Sequence, residues 1–125
     1  MRLTIIPAAF AGFLALAGMC AAAQIASPTI YASGDQTRAE CTIGNTGATP
    51  ISVTITVFDE AGNPVGSPRN CGRIEPHFLC ETFVSVSNDE AYACSATTSG
   101  KIDQLRGTMI LIDANRFPLR SAELR

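Results

Sequence analysis

The chain has no tryptophan and a single histidine among its 125 residues. A blue-copper centre needs two histidines beside a cysteine, and a zinc knuckle needs closely spaced ligand pairs. His77 and Cys80 come nearest to such a pair, nothing matches them downstream, and so no metal or other cofactor is expected. Basic runs are missing as well, since the nine Lys and Arg are scattered. Phosphate backbones are held by clustered cations that release counterions, which argues against a nucleic-acid partner. There is no Gly-x-Ser-x-Gly elbow and no glycine-rich phosphate cradle. The carboxylate pairs Asp59-Glu60 and Asp89-Glu90 sit in turn-like stretches, where adjacent side chains diverge, so they are read as solvated turn charges. Asp59, Glu60 and Asn63 lack the spaced Asp-x-Asp pattern of a calcium loop. Each missing constellation removes a class of chemistry, and the chain is not expected to be an enzyme.

No apolar run reaches the roughly 20 residues that a spanning helix needs. The stretch from Leu3 to Ala17 is shorter, contains Pro7 and follows Arg2. It closes on Ala21-Ala22-Ala23, small side chains that suit a signal peptidase pocket. This predicts a signal peptide over residues 1–23, cleavage after Ala23 and one domain over 24–125, exported to the periplasm or beyond, with no membrane insertion afterwards. The segment Leu16-Ala17-Gly18-Met19-Cys20 is similar to a lipidation signal but has Met19 intruding, which leaves a lipid on Cys20 as the alternative.

Either route consumes Cys20 and leaves Cys41, Cys71, Cys80 and Cys94. Outside the cytosol four cysteines predict two disulfides, with three pairings open. Cys71 and Cys80 bracket Gly72 to Leu79, a stretch with Pro76 that reads as a loop able to bring its ends together, which nominates Cys71–Cys80 and leaves Cys41–Cys94. In the chain-entropy picture the two bridges are worth roughly 2.6 and roughly 4 kcal/mol.

Ile51, Val53, Ile55 and Val57 alternate with Ser52, Thr54 and Thr56, a period of two that buries one face of a strand. Further strands are expected over 28–32, 38–43, 81–87, 91–98, 104–113 and 117–124, with Val84 and Val86 facing opposite to Phe83. Turn residues separate them, as in Asp59-Glu60-Ala61-Gly62-Asn63-Pro64. About seven strands without an amphipathic helix predict an all-β antiparallel sandwich.

The run Asp89-Glu90-Ala91-Tyr92-Ala93-Cys94 resembles the Asp-x-Ala-x-Tyr-x-Cys signature of immunoglobulin domains, one residue shorter. The resemblance implies an immunoglobulin-like topology, a hydrogen bond from the Tyr92 hydroxyl back to the chain, and Cys41 and Cys94 on facing sheets. The whole chain is also similar to small exported bacterial disulfide-bonded β-sandwich proteins of uncharacterised function, with Arg106-Gly107 near the penultimate strand.

The function expected from these residues is a monomeric, non-catalytic module that binds a protein or small ligand. Its candidate surface is the segment closed by Cys71 and Cys80, presenting Arg73, Glu75, His77 and Phe78, because a tied loop loses less entropy on binding. The competing reading is that the bridge merely braces a long connection. The alternatives are an envelope assembly subunit that pairs through strand edges, and a small secreted enzyme or inhibitor.

Overall fold

The computed structural model describes residues 22–115 and 117–125. The predicted signal segment and Cys20 therefore lie outside the described residues, except for Ala22 and Ala23. Among the described residues nine strands form two antiparallel sheets. They are β1 (Ala23–Ala26), β2 (Ile30–Tyr31), β3 (Gln36–Asn45), β4 (Ile51–Asp59), β5 (Arg69–Ile74), β6 (Leu79–Ser85), β7 (Ala91–Thr98), β8 (Leu105–Asp113) and β9 (Pro118–Leu124). One sheet runs β1-β7-β4-β5 with β2 also on β7, and the other runs β6-β3-β8-β9.

Seven of the strands match the sequence reading, and β1 and β5 were not expected. Only Ile74 of β5 is buried, so the strand has no alternation to betray it and forms by pairing with β4. The expected loop is consequently shorter: Gly72 to Ile74 belong to β5, Leu79 opens β6, and only Glu75 to Phe78 connect them.

The core lies between the sheets. Val53, Ile55 and Val57 of β4 face Ala39, Cys41 and Ile43 of β3 and Met109 and Leu111 of β8, all at 2% exposure or less. Alternation puts these side chains on one face of each strand, and burying each is worth roughly 1.5–3 kcal/mol for the larger aliphatics. Gly107 is part of this layer. A Cβ there would stand 2.9 Å from the Thr42 carbonyl oxygen and closer still to the Ile43 side chain, so no other residue fits between β8 and β3.

The disulfides are Cys41–Cys94 and Cys71–Cys80. Cys41 on β3 and Cys94 on β7 are both fully buried, so this bridge pins the middle of one sheet to the middle of the other. Cys71 lies on β5 and Cys80 on β6, the edge strands on the same side of the two sheets, so the second bridge also crosses between sheets. At the opposite side, Ala26 and Arg125 exchange backbone hydrogen bonds of 3.2 and 3.3 Å, linking the β1 end to the β9 end.

Tyr92 is 2% exposed, and its hydroxyl accepts from the Ser87 amide at 2.8 Å and donates to Glu90 Oε2 at 2.6 Å. This ties the β6–β7 connection to β7. The strand order differs from that of antibody domains, in which the strand after the tyrosine-bearing one pairs with it. Here β8 pairs with β3 in the other sheet, and β1 lies beside β7 instead.

Burial raises the Tyr92 pKa above its ordinary value of 10.0, reinforced by the hydrogen bond to Glu90. The folded state thus holds the proton longer than the unfolded chain does. That contribution to stability is complete below pH 10 and lost as pH rises from there through the folded-state value. Tyr92→Phe should therefore lower stability at neutral pH by about 1.5 kcal/mol, through the orphaned Ser87 amide, and blunt the alkaline decline. Thermal melts across pH 8–12 compare the two proteins; identical alkaline slopes would count against the role given to Tyr92.

Candidate functional site

The four expected site residues lie together at one end of the sandwich, Arg73 at the end of β5 and Glu75, His77 and Phe78 in the turn that follows. All four are exposed, Phe78 to 66%. The Phe78 amide donates to the Glu75 carbonyl at 3.1 Å, which closes a four-residue turn. Pro76 stands second, where its fixed φ helps, and His77 third with φ of 67°. That is the sequence and sign pattern of a type II turn, whose third position normally takes glycine. Histidine there costs of order 1 kcal/mol, so surrounding contacts must hold it.

Asn45, the last residue of β3, supplies them. The His77 amide donates to the Asn45 carbonyl at 2.8 Å, and the Asn45 amide donates to the Phe78 carbonyl at 3.1 Å. Its side chain is 1% exposed. Nδ2 donates to the Thr49 and Ile74 carbonyls at 2.8 and 3.1 Å, and Oδ1 accepts from the Gly47 amide at 2.9 Å. One side chain therefore fastens the β3–β4 loop and the end of β5 to β3. The loop is also fixed on its far side, because the Thr46 amide donates to the Gln104 carbonyl at 2.8 Å in the 3-10 turn Ile102–Gln104. In the sequence Asn45 reads only as part of a turn, Gly44-Asn45-Thr46-Gly47; its partner at Ile74 is too distant along the chain to be inferred.

A second set of exposed apolar side chains continues from this corner along β6. Leu79 and Phe83 are 71% and 62% exposed, whereas Cys80 and Val84 on the other face pack against the core. The Arg38 guanidinium lies over the Phe83 ring, 4.7 Å from its centre, and forms an ion pair with Glu40 at 3.0 Å. Leu79 lies over Gly44, where a Cβ would come within 2.9 Å of its Cδ2. Beyond Leu79 an open groove of about 870 Å³ runs past Ile102 and Arg106. Arg106 is folded onto its own backbone, donating to the Leu105 and Asp103 carbonyls at 2.6 and 3.1 Å.

Among the described residues no three His, Cys, Asp or Glu side chains gather as a metal site would require, and no helix is long and apolar enough to cross a membrane. Asp59 is held below the ordinary carboxylate range, first by the Asn63 amide at 2.7 Å and then by other donors of the same turn. This accounts for the Asp59 carboxylate as a turn brace.

No protein-family model matches the chain, and no curated protein matches it. Among solved structures it is similar to protein 1070 of Thermotoga maritima, with 14% identity and a TM-score of 0.50, covering 82% of this chain and 91% of that one. At that identity the likeness concerns the fold alone.

Proposed function

We propose that the chain is an exported, monomeric, non-catalytic binding module, acting in the periplasm or outside the cell. It is a variant of the immunoglobulin-like sandwich that keeps the central disulfide and the tyrosine tie. Recognition occurs at the β5–β6 corner through Arg73, Glu75, His77 and Phe78, and the ligand is a protein. The observation that carries this reading is Phe78, 66% exposed on a turn that Asn45 and the Cys71–Cys80 bridge hold rigid. An aromatic side chain kept in water on a fixed backbone loses little entropy on docking, and such residues dominate binding energy.

Phe78→Ala and His77→Ala together should deplete the specific partners captured by the immobilised protein from a periplasmic or culture-medium extract, with an unchanged melting curve. Capture of the same partners in the same amounts would remove the corner from consideration.

A further inference from the structure

We infer that β6 is a docking edge for an extended segment of a partner protein, which adds to the sheet as a fifth strand and places a basic side chain opposite Glu81. The inference rests on the corner being a recognition surface and names how the partner continues from it.

The four sheet edges are guarded unequally. Exposed edges in soluble proteins are protected by shortness, proline, bulges or charged side chains, lysine above all. β1 and β2 are four and two residues long and are separated by Pro28. β5 carries Arg69 and Arg73, has Gly72 at a φ of 59°, and shifts register against β4. β9 begins with Pro118, carries Arg120 and also shifts register. β6 has none of these devices beyond the single charge of Glu81. Its seven residues, Leu-Cys-Glu-Thr-Phe-Val-Ser, include no proline and no cation, and its register with β3 is unbroken from Ser85 to Leu79.

Its free hydrogen-bonding groups can be assigned. The Phe78 carbonyl accepts from β3, and the Val86 amide donates to Thr37, so even-numbered positions turn their backbone toward β3. In an antiparallel ladder the groups alternate, and Leu79, Glu81, Phe83 and Ser85 therefore offer their N–H and C=O to the open side. The same residues are the exposed ones.

Directly opposite side chains decide which strand fits. Leu79 and Phe83 favour apolar neighbours, and Glu81 between them has no ion-pair partner among the described residues. The complementary strand thus reads apolar-x-basic-x-apolar. A second copy of β6 pairing antiparallel brings Leu79, Glu81, Phe83 or Ser85 against Glu81 and never a cation, which disfavours self-pairing.

The test uses the full folded domain and a fluorescein-labelled peptide, acetyl-Thr-Val-Thr-Lys-Thr-Val-Thr-amide, with anisotropy as the readout. The lysine peptide should bind about tenfold more tightly than its glutamate counterpart, and Glu81→Lys should reverse that preference. Methylating the backbone nitrogens of the valines and lysine, which face β6, should abolish binding, whereas methylating those of the threonines should not. These controls leave the protein untouched, so they hold even if Glu81→Lys unfolds. Absence of binding, indifference to the site of methylation, or a peptide-independent dimer in sedimentation equilibrium overturns the edge-pairing inference. If the corner variants lose their partners while the peptide fails to bind, recognition at the corner stands and strand addition falls. If the corner variants keep them, the corner reading fails whatever the peptide does.

Discussion

Replacing Cys41 and Cys94 together by alanine should lower the free energy of unfolding by at least about 4 kcal/mol. The bridge closes a ring of sequence separation 53, against 9 for Cys71–Cys80, and cross-links that close longer rings restrain the unfolded chain more. Both sulfurs are also fully buried between the sheets, so two alanines leave unfilled space that a tightly packed layer closes only partly. Small domains are stable by about 5–15 kcal/mol, so the variant should be close to unfolded at physiological temperature. Removing Cys71–Cys80 should cost less, about 2.6 kcal/mol, because its ring is short and its sulfurs are half-exposed. Guanidinium titrations of the two double variants decide the order. The slope should also rise in each, since the unfolded chain expands once a cross-link is gone. If the edge variant proved the less stable of the two, the sandwich would be held mainly at its side.

Asn45→Ala should cost about 3 kcal/mol, although the residue lies in no alternating pattern and makes no ion pair. The substitution strands the buried Ile74 carbonyl and also unties the half-buried Gly47 amide and the Thr49 carbonyl at the loop. The backbone bonds to His77 and Phe78 do not involve the side chain and survive, but they lose the neighbours that keep β3, β5 and the 46–50 loop in place. Faster hydrogen exchange should therefore appear at Gly47 first and spread to His77 and Phe78. Asn45→Asp separates the contributions, because it keeps the acceptor for Gly47 and removes both donors. A loss below about 1 kcal/mol for the alanine variant would mean that water replaces the side chain, and the corner would then be held by the disulfide alone.

The fold was legible wherever a strand buries one face. Ile51 to Val57 alternates cleanly and is buried at every second position, and β7 falls on the residues expected, Ala91 to Thr98. The same logic put Val84 and Phe83 on opposite faces, and the structure turns Val84 inward and Phe83 outward. It could not find β5, an edge strand whose side chains are mostly in water, or β1, which begins at Ala23 inside the segment read as an export signal. The paired cysteines were nominated by the Pro76 stretch, but that they lie on opposing sheet edges depends on β5 and β6 belonging to different sheets, which no local spacing reveals. At the site, the exposed side chains could be named from their position in the segment between Cys71 and Cys80. Asn45 and the open edge of β6 could not, since both properties are defined by neighbours far along the chain.

The two bridges are nested, Cys71–Cys80 within the span from Cys41 to Cys94. A protease that severs one peptide bond anywhere in that span releases nothing, because the severed halves stay joined through sulfur. The exposed turn at Glu75 to Phe78 lies inside both rings. A nicked molecule would therefore differ from the intact one only by the added water until a reductant arrived, and would run as two pieces only afterwards.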